Sequence, residues 1–211
     1  MKPEMITLKA GQATIKMPAT ALAQLALASV IGQIAPQQPA PALPAGAVPA
    51  LGAPWPGQGG VNAGLMRGLD GARDYYLIVP TGDDAEFEEL KYGPRDFEVP
   101  GADSAWDGLA NTKALLASGK SHPAAEACNG FTRDGHSDFY LPARRELQTA
   151  EAVCPEVFSK GWHWSSTQRS ANYAFGMGFA GGIQTSFAKG IELRVRPVRA
   201  IPLDSPGLAD A

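Results

Sequence analysis

The C-terminal stretch WHWSSTQRSANYAFGMGFAGGIQTSFAKGIELRVRPVR, residues 162–199, carries the strongest pattern in the chain. It begins with a run rich in Trp, Ser and Thr and ends with RVRPVR. Between these ends, short runs of aromatic, β-branched and small residues are separated by glycines at 181, 182 and 190. Such runs with glycine turns are typical of antiparallel strands joined by tight turns. The stretch therefore predicts a β region whose ends are structural and whose middle part is exposed for contact with a ligand.

The composition is that of a globular protein. Its 211 residues are 45% hydrophobic and 18% charged, a length that suits one domain with an appendage. The formal net charge of −3 argues against a general nucleic-acid binder, which would show a basic excess. Two cysteines without a CxxC spacing are too few for a disulfide scaffold.

The N-terminal region predicts an attachment or oligomerisation module over residues 1–35. Residues 1–17 alternate apolar and polar side chains around Gly11, as a small hairpin or extended arm would. Residues 19–35 predict an Ala- and Leu-rich helix with one apolar face. A membrane span and a signal peptide are the alternatives, but the run is shorter than a span and starts too far from the N-terminus for a signal. An uncharged apolar helix favours docking or oligomerisation instead.

A proline- and alanine-rich linker is predicted over residues 36–56, with a domain boundary near Leu51. A compact domain is predicted over 52–202, and a polar tail over 203–211. Within the domain we expect strands at 61–67 and 75–79, an acidic loop or short helix at 83–89, and helices at 110–118, 123–128 and 143–153. Helices followed by a run of strands indicate the α+β class.

Several motifs in this domain resemble those of one protein family. The order WDGLANTKALL, Cys128, GHSDFYLPARREL, HWSST and RVRPVR is similar to that of the Lcl C-terminal domain family, whose fold is related to C-type lectins and to the formylglycine-generating enzyme. The family signature G-x-x-D-W-R-L-P-x-x-x-E-L is matched at Gly135, Asp138, Leu141, Pro142, Glu146 and Leu147. Phe139 and Tyr140 replace its usual Trp-Arg pair. The resemblance covers roughly residues 52–201.

The resemblance implies a C-type-lectin-like fold of antiparallel strands with two or three short helices. Such domains occur in phage tail and fibre proteins and in variable proteins diversified by retroelements. In the latter, the segment between WSST and RVRPVR carries the ligand-facing residues. That segment here combines aromatic and small polar side chains, the combination found in antibody paratopes. The predicted ligand-binding residues are Gln168, Arg169, Ser170, Asn172, Tyr173, Phe175, Gln184, Thr185, Phe187, Lys189, Ile191 and Glu192.

Strand alternation leaves three residues of this segment unassigned. Phe175, Met177 and Phe179 could fill the core or be displayed, whereas we expect Arg169, Asn172, Tyr173, Thr185, Phe187 and Lys189 to be exposed. Trp162 and Trp164, two residues apart, should share a face and be structural. The terminal arginines should pair with Glu146 or Asp138 rather than bind phosphate, since the chain is acidic.

No catalytic, cofactor or metal site is predicted. GMGFAG at 176–181 matches GxGxxG but lacks the following helix of a dinucleotide site. Cys128 and Cys154 lie outside the last part of the domain, where the related oxidases place their cysteine pair, and we expect buried thiols. The contiguous His136, Ser137 and Asp138 cannot form a catalytic triad, and the histidines show no metal spacing. The triplets of a calcium-dependent sugar site are missing.

These observations lead to three hypotheses. The favoured one is a phage receptor-binding (tail-tip or adhesin) protein in the virion, not an enzyme, with a protein or glycan on the host surface as its partner. Residues 1–35 would contact other virion proteins or form a homo-oligomer such as a trimer; no nucleic acid and no membrane span are expected. The alternatives are a capsid or tail decoration protein with the same fold, and a formylglycine-generating-type oxidase.

Overall fold

The computed structural model describes residues 5–10, 13–20, 48–69 and 71–203. The chain divides into two compact units, Met1–Ala42 and Leu43–Ala211. The predicted helix beyond residue 20, linker residues 36–47 and the tail after residue 203 lie outside the described residues.

The first unit contains a hairpin of β1 (Met5–Ala10) and β2 (Ala13–Pro18). The two strands are antiparallel, with Met5 opposite Pro18 and Ala10 opposite Ala13. This pairing agrees with the small hairpin that the alternating sequence pattern predicts.

The second unit is a mixed α and β domain. Its elements, in chain order, are β3 (Pro54–Trp55), β4 (Gly60–Met66), β5 (Tyr75–Val79), a 3-10 helix (Asp83–Ala85), β6 (Phe87–Lys91), α1 (Gly108–Ala117), α2 (Pro123–Gly130), α3 (Arg144–Val153), a 3-10 helix (Pro155–Val157), β7 (Trp162–Gln168), β8 (Tyr173–Gly178), β9 (Ile183–Ala188), β10 (Glu192–Val195) and β11 (Arg199–Pro202). The predicted α+β class is confirmed.

The strands of this unit form two sheets. One has the order β11-β5-β4-β3 and the other the order β6-β10-β7-β8-β9. Every pair is antiparallel except β7 and β10, which run parallel through Arg194 and His163. The antiparallel pattern predicted from the sequence did not include this parallel pair, in which β10 lies on the far side of β7 from the β8–β9 hairpin.

The helices begin where their capping groups predict. Asp107 accepts a hydrogen bond from the backbone N–H of Ala110 at 2.8 Å at the start of α1, and Pro123 occupies the first turn of α2. At α3, Glu146 reaches back to accept the N–H of Ala143 at 2.6 Å. Residues 83–89, predicted as an acidic loop or short helix, form a short 3-10 helix at Asp83–Ala85 and then the first residues of β6, an edge strand that was not predicted.

The last residues of the predicted linker belong to the domain. Pro49 accepts a hydrogen bond from the side chain of buried Asn62 at 2.7 Å. Val48 and buried Trp55 pack on Ile78 and Ile201. The chain from residue 48 onward is thus fixed on the four-stranded sheet, upstream of the predicted boundary near Leu51.

Two apolar cores lie on opposite faces of the five-stranded sheet. The first joins α3, through Leu147 and Ala150, to Met177 of that sheet, to Phe179 just after β8, and to the four-stranded sheet. The second surrounds Trp164 with Tyr92, Leu115 and Leu141. The central strand β7 is therefore covered on both sides, whereas β9 is the end strand of the sheet.

Candidate ligand-binding surface

The β8–β9 hairpin and the turn before it, which together we call the edge hairpin (residues 169–188), carry most of the exposed residues of the predicted ligand-binding segment. Its register pairs Phe175 with Ser186, Gly176 with Thr185, and Gly178 with Ile183. Residues paired directly across two strands share a face of the sheet. The edge hairpin therefore presents two different surfaces, one on the side of α3 (the α3 face) and one on the side of Trp162 and Trp164 (the Trp face).

The α3 face of the edge hairpin combines aromatic and polar side chains. Tyr173 is 45% exposed, and Phe175 is half-buried beneath the guanidinium of Arg144, 4.6 Å from its ring centre. Arg169 is exposed and donates to the Ser186 hydroxyl at 2.7 Å. Gln184 donates its side-chain amide to the carbonyl of Arg144. Tyr173 and Arg169 are thus available to a ligand, while Phe175 and Gln184 are partly engaged by α3.

The Trp face of the edge hairpin is more apolar. Ile183 is 62% exposed, and Thr185 is also exposed. Phe187 is half-buried, with its ring centre 4.8 Å from that of Trp162. A Cβ at Gly178 would lie 3.2 Å from the Trp162 ring, so glycine lets the indole lie close to the strand. Trp162 and Trp164 both contact Phe187 and share this face, as predicted.

Two predicted ligand-binding residues, Gln168 and Lys189, are buried, and the exposure predicted for Lys189 was wrong. The Gln168 amide binds the backbone N–H and carbonyl of Val99 at 2.9 and 3.1 Å. The Lys189 ammonium donates to Gln168 Oε1 and to the carbonyl of Phe97, both at 2.7 Å. Burial lowers the pKa of Lys189 to about 8. Both side chains hold residues 97–99 against the base of the edge hairpin and cannot reach a ligand.

The remaining predicted residues lie around the ends of the edge hairpin. Half-buried Asn172 exchanges two hydrogen bonds of 2.9 Å with Asp96, and half-buried Ser170 accepts the N–H of Asn172. Ile191 is 40% exposed. Exposed Glu192 lies 3.7 Å from Lys91. The predicted set is therefore divided among the two faces, the hairpin ends and the interior.

The open assignment of the aromatic and sulphur side chains is now settled by burial. Met177 and Phe179 are in the core, and Phe179 stacks on Phe158 with ring centres 3.8 Å apart. Phe175 is intermediate. The alternation continues along β8 into the covered part of the sheet, so only its first residues remain accessible.

Two cavities flank Trp162, a residue that was predicted from the sequence only to be structural. One of about 290 Å³ is lined by Glu88, Glu89, Gly161, Trp162, Glu192, Leu193 and Arg194. The other, of about 180 Å³, is lined by Lys160, Gly161, Trp162, Gly178, Ala180, Gly181 and Ile183. No sequence pattern indicated the first cavity, because part of its wall comes from β6, which the acidic pattern did not predict.

The terminal arginines make internal ion pairs, in part as expected. Arg199 binds Asp138 at 2.6 Å. Arg196 binds Glu86 at 3.0 Å, and burial of Glu86 is offset by its hydrogen bonds with His163 and Ser159, which hold the pKa of its carboxyl well below the usual range. Glu146 pairs with no arginine among the described residues, contrary to one expected pairing.

The carboxyl group of Glu146 is instead enclosed by hydroxyl and amide donors. The hydroxyls of Tyr75 and Tyr140 both donate to Glu146 Oε1 at 2.6 Å. Complete burial outweighs these hydrogen bonds and raises the pKa of Glu146 to about 7. The neutral hydroxyl of Tyr140 therefore lies directly next to this carboxyl.

Neither of the two cysteines is suited to act as a nucleophile. Cys128 and Cys154 are free and buried, and burial raises the pKa of both thiols, that of Cys154 to about 12. A thiol in this state is a poor nucleophile. Within the described part of the chain, no group of three or more His, Cys, Asp or Glu side chains could hold a metal ion, and no helix is long and apolar enough to cross a membrane.

Comparison with known proteins adds no assignment. No protein-family model matches the chain, and no curated protein sequence matches it significantly.

Proposed function

We propose that this chain is a phage virion receptor-binding protein whose second unit displays the edge hairpin to a host-surface ligand. The observation that carries the proposal is the contrast in burial within one short segment. Gln168 and Lys189 are buried at its ends, while Arg169, Tyr173, Ile183 and Thr185 between them are exposed. An exposed strand pair held by buried polar contacts is a suitable support for a variable contact surface.

The exposed residues have the chemistry of a recognition surface. Tyr173 offers a large contact area with few rotatable bonds, Arg169 offers a planar donor, and Thr185 and Ser186 offer small adaptable hydroxyls. None of these side chains is in the apolar clusters that stabilise the domain. They can therefore be replaced without loss of the fold, which a variable surface requires.

The proposed fold family is that of the C-type-lectin-like domains. The motif residues have framework roles that support this assignment: Leu141 and Leu147 are buried, and Pro142 accepts the N–H of Ser166 in the WSST strand at 2.8 Å. Arg199 of the RVRPVR end pairs with Asp138 of the signature. The same motifs that carry the resemblance thus link α3 to β7 and the C-terminal strand.

The first unit is proposed to attach the protein to other virion proteins or to a homo-oligomer such as a trimer. Multiple copies would strengthen a weak single contact through effective concentration. Light scattering of the full chain and of a chain lacking residues 1–35 tests this: a fall in mass to that of a monomer on truncation supports the proposal, and an unchanged mass contradicts it.

Retroelement diversification of the segment 168–192 is a further part of the proposal. Sequencing this gene region in many progeny should show substitutions at the exposed positions 169, 173 and 185 and none at the buried positions 168 and 189. Uniform codons across the segment would remove diversification from the proposal.

The main experiment is a pull-down of envelope fractions from candidate hosts by the full chain. It is compared with the variant Arg169→Ala/Tyr173→Ala/Thr185→Ala. A matched control, Lys113→Ala/Leu116→Ala/Thr132→Ala, removes one cation, one large side chain and one threonine at exposed positions outside the edge hairpin.

Binding by the wild type and the control, but not by the edge-hairpin variant, supports the proposal. Binding by no protein, with all three folded, would favour the capsid or tail decoration protein, and labelling of particles would then show many evenly spread copies. The oxidase alternative has no support here because both thiols are buried.

A further inference from the structure

The larger cavity beside Trp162, which we call the acidic groove, is chemically distinct from the edge hairpin. It is lined by Glu88, Glu89, Trp162, Glu192 and Arg194, with Gly161 and Leu193. Its volume of about 290 Å³ is enough for one long side chain, at the lower end of the range for ligand sites.

An irregularity in β6 turns two neighbouring glutamates toward this groove. In a regular strand, successive side chains point to opposite faces. Here Glu89 has a left-handed backbone, with φ of 56°, and the register with β10 shifts between Leu193 and Val195. Such a bulge redirects side chains, so that Glu88 and Glu89 both line the groove. The Trp164 indole donates to the Leu90 carbonyl at 2.8 Å and holds this bulge in place.

The ion pairs within the groove leave an excess of negative charge. Arg194 binds Glu88 at 2.8 Å and lies 3.5 Å from Glu86, so its charge is already matched by carboxylates. Glu192 has only a long contact of 3.7 Å with Lys91. Glu89 makes no ion pair with any described residue. An anion would be repelled by these carboxylates, whereas a cation would gain a partner.

The apolar part of the lining narrows the kind of cation. Trp162 and Leu193 offer apolar surface beside the carboxylates. Lysine and arginine side chains match this arrangement, because their methylene stems pack on apolar surface while the charged end reaches acidic groups. Indole rings also attract cations more strongly than other aromatic rings.

We infer that the acidic groove receives a lysine or arginine side chain of a proteinaceous host receptor, next to the edge hairpin that contacts the rest of it. This inference rests on the proposed function, and it narrows the partner from a protein or glycan to a protein with a basic side chain at the contact. Trp162, the wall shared with the cavity beside Ile183, is the central contact residue.

The test uses N-acetyl-lysine methylamide as the probe and the indole N–H signal of Trp162 as the reporter. The full chain, labelled with nitrogen-15, has four tryptophans, and Trp162→Phe identifies the relevant signal by its loss. The neutral analogue N-acetyl-norleucine methylamide has the same stem without the ammonium. We expect a saturable shift of the Trp162 signal with the lysine probe. The norleucine probe should bind with an apparent affinity at least about tenfold lower, and salt should weaken binding of the lysine probe.

Two charge variants make the test specific. Glu89→Gln/Glu192→Gln removes the two carboxylates without a close partner, and we expect at least about a tenfold loss of affinity for the lysine probe. Asp103→Asn/Glu156→Gln makes the same change in net charge at exposed positions outside the groove and should leave the affinity unchanged. Absence of a shift, equal shifts with both probes, or an unchanged affinity of the groove variant would each overturn the inference.

The pull-down of host envelopes separates this inference from the proposed function. If Glu89→Gln/Glu192→Gln loses the probe but still binds envelopes as the wild type does, the groove does not hold the receptor and the inference fails, while the receptor-binding function remains. If the probe binds but no envelope does, the proposed function fails, and with it the assignment of a receptor side chain to the groove.

Discussion

The framework around β7 and the edge hairpin beside it are built from similar residue types but differ in what surrounds them. In the framework, polar side chains such as Ser166, Thr167 and Glu146 are buried and each has a fixed partner. In the edge hairpin, the polar side chains of Arg169 and Thr185 are exposed. Polarity alone therefore does not distinguish a contact residue from a structural one; position relative to the end of the sheet does.

The largest expected effect on stability is at Trp164, in the buried framework around β7. Trp164→Ala removes a fully buried indole and leaves the Leu90 carbonyl without its donor. We expect a loss of about 3–5 kcal/mol in the free energy of unfolding, measured by urea denaturation. A loss below 1 kcal/mol would show that β7 is not the centre of the framework.

The next effect is a pH dependence from Glu146. Its pKa in the folded state is about 7, above the ordinary value of 4.5, so the folded state binds more protons between these values and its stability falls as pH rises through that window. The shift corresponds to about 3 kcal/mol. Glu146→Gln should therefore be most destabilising relative to the wild type below pH 4.5, with the difference shrinking toward pH 8.

Urea denaturation of both proteins across this pH range measures the difference directly. Because Glu86 contributes a slope of opposite sign, with a lowered pKa, only the difference between the two proteins is diagnostic. If Glu146→Gln does not fold, Tyr140→Phe, which removes one donor, should show the same window with altered amplitude. A pH-independent difference in both variants would contradict a buried neutral carboxyl in the framework.

The third effect concerns Gln168, a buried residue directly before the exposed Arg169. Gln168→Ala removes two hydrogen bonds to Val99 and one partner of the Lys189 ammonium. Leaving these buried groups unpaired should cost about 1–3 kcal/mol. Faster hydrogen exchange at Val99 is expected with it. If neither the free energy of unfolding nor hydrogen exchange at Val99 changes, Gln168 does not have the structural role assigned to it here.

The smallest effect is expected at the exposed positions. Tyr173→Ala and Thr185→Ala should change the free energy of unfolding by no more than about 0.5 kcal/mol each, since neither belongs to an apolar cluster. Thermal unfolding of each variant measures this. A loss of 2 kcal/mol in either would mean that the edge hairpin is itself part of the core.

Much of the fold could be predicted from local signals. Asp107, Pro123 and the LPARREL run determine where the helices begin, and glycines 181 and 182 place the turn between β8 and β9. β6 was not predicted because its sequence FEELK is mostly charged and lacks the apolar–polar alternation of a typical strand. The parallel pairing of β10 with β7 depends on the path of the chain after residue 188, which alternation does not encode.

The candidate site was less predictable because burial depends on distant partners. Gln168 and Lys189 are indistinguishable by sequence from contact residues, yet Val99 and Phe97 enclose them. Likewise, Trp162 borders a groove only because the bulge at Glu89 lies beside it. Arg169, Tyr173 and Thr185 are exposed, as expected: Arg169 lies in the turn before β8, Tyr173 is the first residue of β8, and Thr185 lies on the end strand β9.

Binding and stability measured on the same set of variants test the division between framework and edge hairpin most directly. Host-envelope binding and the free energy of unfolding are measured for Arg169→Ala, Tyr173→Ala and Thr185→Ala, and for Gln168→Ala and Lys189→Met. We expect the first three to lose binding at nearly unchanged stability. The last two should lose stability and keep binding wherever they remain folded. If instead Gln168→Ala or Lys189→Met abolished binding at full stability, while the exposed variants bound normally, the division between framework and edge hairpin would be wrong.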